Sequence, residues 1–292
     1  MSIVTSRILI PVGFSDQSMI ALGQGFNLAK IKKSEMILLS LIENQKKIES
    51  LFLDDKTHEL QQKVNDKLME VGKKYAAEYD IHVETMVAKG RVYEKIIEVA
   101  EMVNADLIVM GTNGTPKGVL KKVIGTNAER VVRLAHCPVI TLKGKDHRNG
   151  CENIILPLDL EKQTKEKVTL AIEYARYWNA TIRVVSVLLR DKQEIKDKLV
   201  RNLNQVEKFI SDADVECSSE LLEVEKGKGL VKSILEYEKK FESDLILIMT
   251  RQEDVFNNKL GTAAREIIYQ SDIPVMSIKP HEREDVPSPF TY

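Results

Sequence analysis

The chain has 292 residues, of which 43% are hydrophobic and 30% charged, and its formal net charge is -1. This balance is typical of a soluble globular chain and excludes a mainly disordered or membrane one. Because no general basic field exists, we expect neither nucleic acid nor a membrane surface as a partner. No apolar run reaches the ~20 residues of a membrane-spanning helix, and the apolar start is too short for a signal peptide. Three cysteines, without a CxxC motif, favour a reduced, cytoplasmic setting.

Short apolar runs alternate with amphipathic patterns along the chain. In the first half we predict strands at 8–12, 36–42, 82–88, 107–110 and 139–142, and helices at 17–30, 56–79, 92–103 and 126–135, with Ser15 as the first helix cap. In the second half we predict strands at 154–158, 182–188, 218–224, 245–248 and 275–278, and helices at 165–178, 194–213, 230–241 and 262–270. This alternation indicates an α/β fold in which each half is a five-stranded parallel sheet with helices on both faces.

The two halves are similar in sequence. RILIPVGF at 7–14 matches NIILPLDL at 153–160, NADLIVM at 104–110 matches ESDLILI at 242–248, and GTNAERVVRLAHCPV at 125–139 matches GTAAREIIYQSDIPV at 261–275. The blocks occur in the same order, which indicates one duplicated domain. The polar stretch 143–153 is typical of a linker. We therefore predict domain 1 at 1–145, domain 2 at 151–281 and a tail at 282–292.

Glycines cluster between the fourth strand and the next helix of the first half. The stretch MGTNGTPKGVLKKVIGTN contains Gly111, Gly114, Gly118 and Gly125. Glycines let backbone N–H groups approach an anion, and the start of the helix adds unpaired donors and a positive dipole end. Neither GxxxxGK[ST] nor a GxGxxG after the first strand is present. Two interpretations stay open: the loop cradles a phosphate, or it is an inherited turn that is now empty.

The chain resembles a tandem universal stress protein over roughly 5–143 and 152–280. The stretches that carry the resemblance are ILIPVGFSDQS, DLIVMGTNG and GTNAERVVRLAHCPVITLK. The resemblance implies strand order 3-2-1-4-5, which places a ligand crevice where strands one and four end. It also implies that domain 1 binds ATP or another adenine nucleotide, with or without Mg, and that two last strands, 139–142 and 275–278, pair in an internal pseudo-dimer. A further homodimer stays open. The implied binding residues are Pro11, Val12, Gly13, Leu41, Gly111, Asn113, Gly114, Gly125, Thr126 and Asn127.

Each half departs from the nucleotide-binding pattern of the family in its own way. The pattern G-x2-G-x9-G-[ST] has one additional residue here before Gly125, and Gly13 stands where ATP-binding members have an aspartate. The second half keeps Asp159 and Gly261, but 249–252 read MTRQ in place of the glycines. Side chains there obstruct a close backbone approach, so we predict that the second half binds no nucleotide.

No catalytic motif such as GxSxG or HExxH is present, and His136 with Cys137 has no second ligand pair for a metal. We therefore predict no enzymatic activity, with weak ATP hydrolysis as an alternative. Lys89-Gly90-Arg91 is either a basic wall of the crevice or a turn with solvated charges. The predicted function is a regulatory stress-response module that binds an adenine nucleotide and unknown protein partners. The alternative is a scaffold that works without nucleotide.

Overall fold

The computed structural model divides into two compact units, Met1–His147 and Arg148–Tyr292. The residues that it describes are 6–43, 54–112, 126–143, 149–159, 164–224, 228–250 and 260–280. The predicted tail at 282–292 lies outside them. All the predicted strands and helices are present, with ends that differ by at most two residues.

The first unit alternates strands and helices in chain order. Its elements are β1 (Arg7–Pro11), α1 (Asp16–Lys32), β2 (Glu35–Ile42), α2 (Asp54–Tyr79), β3 (Val83–Lys89), α3 (Val92–Met102), β4 (Leu107–Gly111), α4 (Thr126–Leu134) and β5 (Val139–Leu142). The strand order is β3-β2-β1-β4-β5 and all pairs are parallel. The order implied by the family resemblance is therefore confirmed, and the direction of strand addition reverses between β1 and β4.

The second unit repeats this series. Its elements are β6 (Asn153–Leu158), α5 (Thr164–Trp178), β7 (Thr181–Leu188), α6 (Gln193–Ser211), β8 (Cys217–Glu223), α7 (Leu230–Lys240), β9 (Leu245–Met249), α8 (Thr262–Gln270) and β10 (Val275–Ile278). Within this unit the strand order is β8-β7-β6-β9-β10, again parallel. The central strands of both units are almost wholly apolar because helices cover both faces of a parallel sheet. Ile8, Leu9 and Ile10 of β1 have no exposed surface.

One matched aspartate in each half fixes the amino ends of the central strands. The Asp106 carboxylate accepts a hydrogen bond from the Arg7 backbone N–H at 2.8 Å. In the second unit Asp244 accepts from the N–H groups of Glu152 and Asn153, at 2.7 and 3.1 Å. These bonds pair strand-end donors that would otherwise lack a partner. The repeated aspartate is thus structural and lies at the sheet edge opposite the strand carboxyl ends.

Candidate functional site

The carboxyl ends of β1 and β4 lie side by side in the first unit, at the point where strand order reverses. The Val12 N–H donates to the Leu39 carbonyl at 2.8 Å, which extends the sheet contact one residue beyond β1. Phe14 then adopts a left-handed φ of 55°, and the chain turns into α1. Ser15 is the N-cap, as predicted, and its side chain accepts from the Ser18 N–H at 3.4 Å. The chain therefore leaves the sheet sharply and opens a crevice.

Gly13 faces open space at this exit. A Cβ built on Gly13 meets no atom within 4 Å. The position at which the family pattern has an aspartate therefore has room for one, although this chain provides no side chain there.

Gly111, at the end of β4, has a packing role. A Cβ at Gly111 would lie 3.0 Å from the Gln17 Cβ, 3.1 Å from the Gln17 carbonyl oxygen and 3.2 Å from its carbonyl carbon. The glycine therefore lets β4 approach the first turn of α1. Gly111 does not have a positive φ; among the glycines that the structure describes, Gly90 alone does. The position that sequence reasoning assigned to a phosphate loop is thus also explained by packing.

A threonine follows the corresponding strand in both units. Thr112 donates to the Leu142 carbonyl through its backbone N–H, at 2.8 Å, and through its hydroxyl, at 3.2 Å. Thr250 does the same with Ile278, at 2.7 and 3.1 Å. Both threonines are buried. Sequence analysis missed this pair, although the sequence does place a threonine after both matching strands.

A pocket of about 380 Å³ opens at this carboxyl edge of the first unit. It lies between the end of β2, the turn from β3 into α3, and the first turns of α4. Its lining residues are Glu43, Gly90, Arg91, Val92, Tyr93, Asn127 and Arg130. The lining combines two guanidinium groups, one carboxylate and the amide of Asn127 near a helix N-terminus. Such a lining suits a polar anion with hydrogen-bonding groups.

Arg91, Tyr93 and Arg130 of the pocket are connected through their contacts with one another and with Glu94. The Arg130 guanidinium carbon lies 4.5 Å from the centre of the Tyr93 ring. The Tyr93 hydroxyl donates to the Glu94 carboxylate at 2.8 Å, and the same carboxylate oxygen accepts from Arg91 at 3.0 Å. These hydrogen bonds, with that from Tyr93 the larger, lower the pKa of Glu94, while the bond with Glu94 raises the pKa of Arg91. Glu94 and Arg91 therefore both stay charged at neutral pH.

The predicted site residues fall in three groups. Asn127 lines the pocket, and Thr126 is the first residue of α4. Pro11, Val12, Gly13, Leu41 and Gly111 lie in or directly after β1, β2 and β4, at their carboxyl ends. Asn113, Gly114 and Gly125 lie outside the described residues, so their assignment stays a prediction.

Sequence reasoning missed Glu43, Tyr93 and Arg130, which have no motif of their own. The Lys89-Gly90-Arg91 stretch forms a turn, and its interpretation as a basic wall stays a prediction. Gly90 has a φ of 149° and its N–H donates to the Ile42 carbonyl at 3.0 Å, as a turn requires, and Gly90 and Arg91 also line the pocket.

In the second unit, side chains of the protein itself hydrogen-bond to the backbone at the carboxyl end of β6. Three successive carbonyls, of Pro157, Leu158 and Asp159, each accept a hydrogen bond from a side chain of another element. The donors are Lys167 of α5 at 2.6 Å, Ser186 of β7 at 3.1 Å and Asn202 of α6 at 3.0 Å. Burial lowers the pKa of Lys167, against the opposing effect of the nearby Asp159 carboxylate. The backbone at the end of β6 is therefore held in place by hydrogen bonds within the second unit.

Two structural features are absent from the described part of the chain. No group of three or more histidine, cysteine, aspartate or glutamate side chains is arranged to hold a metal ion. No helix there is long and apolar enough to cross a membrane.

The universal stress protein family model matches residues 5–143. A universal stress protein of Methanocaldococcus jannaschii is 33% identical over 147 residues, which cover 47% of this chain and 81% of the relative. Another, from Synechocystis, is 32% identical over 144 residues, 48% of this chain and 87% of the relative. The crystal structure of a universal stress protein from Archaeoglobus fulgidus is 22% identical and matches with a TM-score of 0.78 over 96% of this chain and all of that one. The last likeness shows the fold, and the sequence matches show that the chain belongs to the universal stress protein family.

Proposed function

We propose that the protein binds an adenine nucleotide in its first unit, and that nucleotide occupancy biases its contacts with other proteins during a stress response. The observation that carries this proposal is the 380 Å³ pocket at the carboxyl edge of the first sheet. Its volume falls within the roughly 300–1,000 Å³ of small-molecule sites. It opens at the carboxyl edge of the sheet, the edge on which open α/β sheets bind ligands, and its lining comes from the end of β2, the turn into α3 and the start of α4 rather than from β1 or β4.

The chemistry of the lining supports a nucleotide over an apolar ligand. Arg91, Arg130 and the N-terminus of α4 offer positive charge and N–H donors to a phosphate group. Glu43 is exposed at the end of β2 and offers a carboxylate that can accept hydrogen bonds from ribose hydroxyls. Because Gly13 has no side chain, Glu43 takes over part of the polar recognition of the nucleoside. Mg²⁺ enters this proposal only as the counter-ion that accompanies ATP.

One site per chain is expected. At the fifth position of its helix, α8 has Glu266 where α4 has Arg130, so the charge that would meet a phosphate is reversed. The β6 exit is also fixed by Lys167 and Asn202. Both features disfavour a nucleotide in the second unit.

A scaffold that works without nucleotide is the second candidate. The observation that favours it is the close packing of Gly111 against Gln17. This packing requires a glycine at position 111 whether or not a ligand binds. The absence of a side chain at Gly13 favours it as well. In that case the polar lining of the pocket would be unused and function would rest on protein contacts alone.

Calorimetric titration of the full chain with ATP, ADP and AMP separates these candidates. We expect saturable binding of one nucleotide per chain. Asn127→Asp should weaken it at least about tenfold, because a carboxylate in the first turn of α4 repels phosphate. Ala263→Asp, at the second position of α8, is the matched control and should bind like the unchanged chain. No saturable binding at millimolar nucleotide would favour the scaffold, and unchanged binding by Asn127→Asp would refute the site.

The proposal contains no catalytic step. Nucleotide bound by the first unit should remain intact over hours, with phosphate release no faster than in a protein-free control. Release that exceeds this control and disappears in Asn127→Asp would instead assign a hydrolase activity to the pocket.

A further inference from the structure

We propose that Arg130 binds a phosphate group of the nucleotide and that Tyr93 positions Arg130 for this contact. The inference rests on the proposed function, and it adds a phosphate-binding residue outside the glycine loop. It follows from the placement of Arg130 in the pocket, from its contact with Tyr93, and from the different residues at the matching positions of the second unit.

The contact between Arg130 and Tyr93 restricts where the guanidinium group lies. The guanidinium carbon lies 4.5 Å from the ring centre, within the ~6 Å range of a cation–π contact. A guanidinium held over a ring keeps its N–H donors directed outward in its own plane. Two such donors in parallel match two phosphate oxygens, and this bidentate geometry gives arginine its preference for phosphate. Arg130 is exposed, so a ligand in the pocket can reach it.

Tyr93 is itself held in place. Its hydroxyl donates to Glu94 at 2.8 Å, and Glu94 also accepts from Arg91 at 3.0 Å. The Arg91 side chain is 77% exposed, so the Arg91–Glu94 pair is a weak surface ion pair. The consequence of these bonds is mainly geometric. They restrict the ring that supports Arg130 and reduce the rotamer freedom that Arg130 loses when it binds a ligand.

Matching positions of the second unit lack both residues. The fifth residue of α4 is Arg130, and the fifth residue of α8 is Glu266. The second residue of α3 is Tyr93, and the second residue of α7 is Val231. The cation and its supporting ring are therefore present together in the unit that has the pocket, and both are replaced in the unit predicted to bind no nucleotide.

Calorimetric titration with ATP, AMP and adenosine tests the role of Arg130. Arg130→Gln removes a charge-assisted hydrogen bond to phosphate. We expect the affinity for ATP and AMP to fall by roughly 10- to 100-fold. Adenosine has no phosphate, so its affinity should change less than about twofold. Arg130→Lys keeps the charge without the planar fork, and we expect a loss of about three- to tenfold. Arg265→Gln removes an exposed arginine from α8 and should leave all three affinities unchanged.

The positioning role of Tyr93 needs a rescue experiment. Tyr93→Leu removes the ring and should weaken ATP by about two- to fivefold, the expected effect of losing an exposed cation–π contact. Tyr93→Phe keeps the ring and should recover binding to within about twofold. The effect should also require the arginine, so Tyr93→Leu added to Arg130→Gln should cause no further loss. Equal losses with Phe and Leu, or a full further loss in the double variant, would refute the positioning role.

The outcomes distinguish this inference from the proposed function. If the unchanged chain binds no nucleotide, the proposed function fails. If it binds ATP and Arg130→Gln binds equally well, the function stands and the phosphate role of Arg130 is wrong. If Arg130→Gln weakens adenosine as much as ATP, Arg130 supports the pocket without contacting phosphate, which also overturns the inference. Circular dichroism of each variant establishes that it is folded.

Discussion

Replacing Gly111 by alanine should destabilise the first unit even when no ligand is present. The added Cβ would lie 3.0 to 3.2 Å from three atoms of Gln17, of which two belong to the backbone of the first turn of α1. A flexible side chain could move aside, but a helix backbone moves only together with its neighbours. The contact therefore forces β4 and α1 apart by a few tenths of an ångström.

The size of the effect follows from the cost of overpacking. Extra methyl groups in closely packed regions cost about 1–3 kcal/mol of the free energy of unfolding. With a urea slope of about 2 kcal/mol per molar, the unfolding midpoint should fall by roughly 0.5–1.5 M. Urea unfolding followed by far-UV circular dichroism measures this shift. Hydrogen exchange should accelerate in α1 and β4, where the contact lies.

Gly13→Ala is the matched control for this prediction. The new Cβ meets no atom within 4 Å, and Gly13 does not have a positive φ. The free energy of unfolding should stay the same or rise by up to about 1 kcal/mol, because alanine restricts the unfolded chain. A Gly111→Ala protein as stable as Gly13→Ala would refute the packing explanation. If the explanation holds, weaker nucleotide binding by Gly111→Ala would not demonstrate a phosphate contact.

Three further predictions concern Gly13, the thiols and Lys167. Gly13→Asp has space for its carboxylate and should raise ATP affinity about three- to tenfold in calorimetry, by one added hydrogen bond to the nucleoside; weaker binding would contradict this. Burial raises the pKa of Cys137 and of Cys217 from 9.0 to about 12, so at pH 8 both should react with iodoacetamide far more slowly in the folded than in the urea-unfolded protein. The buried neutral thiols also affect stability. Because their folded-state pKa values are raised, the free energy of unfolding keeps its full value below about pH 9 and falls as the pH rises toward 12. Burial lowers the pKa of Lys167, so the stability of the unchanged chain relative to Lys167→Met should rise as the pH is raised toward the ordinary lysine pKa of 10.5; a difference in urea midpoints that does not change with pH would contradict the lowered pKa.

The order and type of the strands and helices could be predicted because they depend on local patterns. The apolar run before Pro11 and the amphipathic period of 165–178 each determine one element without reference to distant residues. The duplication repeats the same pattern in the second half, and the predicted bounds of β3 and β8 lie within one residue of those in the structure. The strand order came from the family resemblance, since no local pattern encodes it.

The candidate site was predicted in part. The carboxyl ends of β1 and β4 and the start of α4 follow from the strand order and the position of the helix. Tyr93 and Arg130 have ordinary places in amphipathic helices, and their contact arises because α3 and α4 pack side by side. Gly111 illustrates a different limit of sequence-based prediction. The sequence does not distinguish a glycine that is needed for close packing against a helix from one that lets a phosphate approach the backbone.

The most direct test of nucleotide binding by the first unit uses freshly purified full-length protein. The protein is denatured, the supernatant is separated by anion exchange, and any released nucleotide is identified by mass, with Asn127→Asp prepared in parallel. We expect an adenine nucleotide at up to one per chain, and much less from Asn127→Asp. If the unchanged protein releases none and millimolar ATP does not raise its melting temperature, the pocket holds no nucleotide and the scaffold function replaces the proposal.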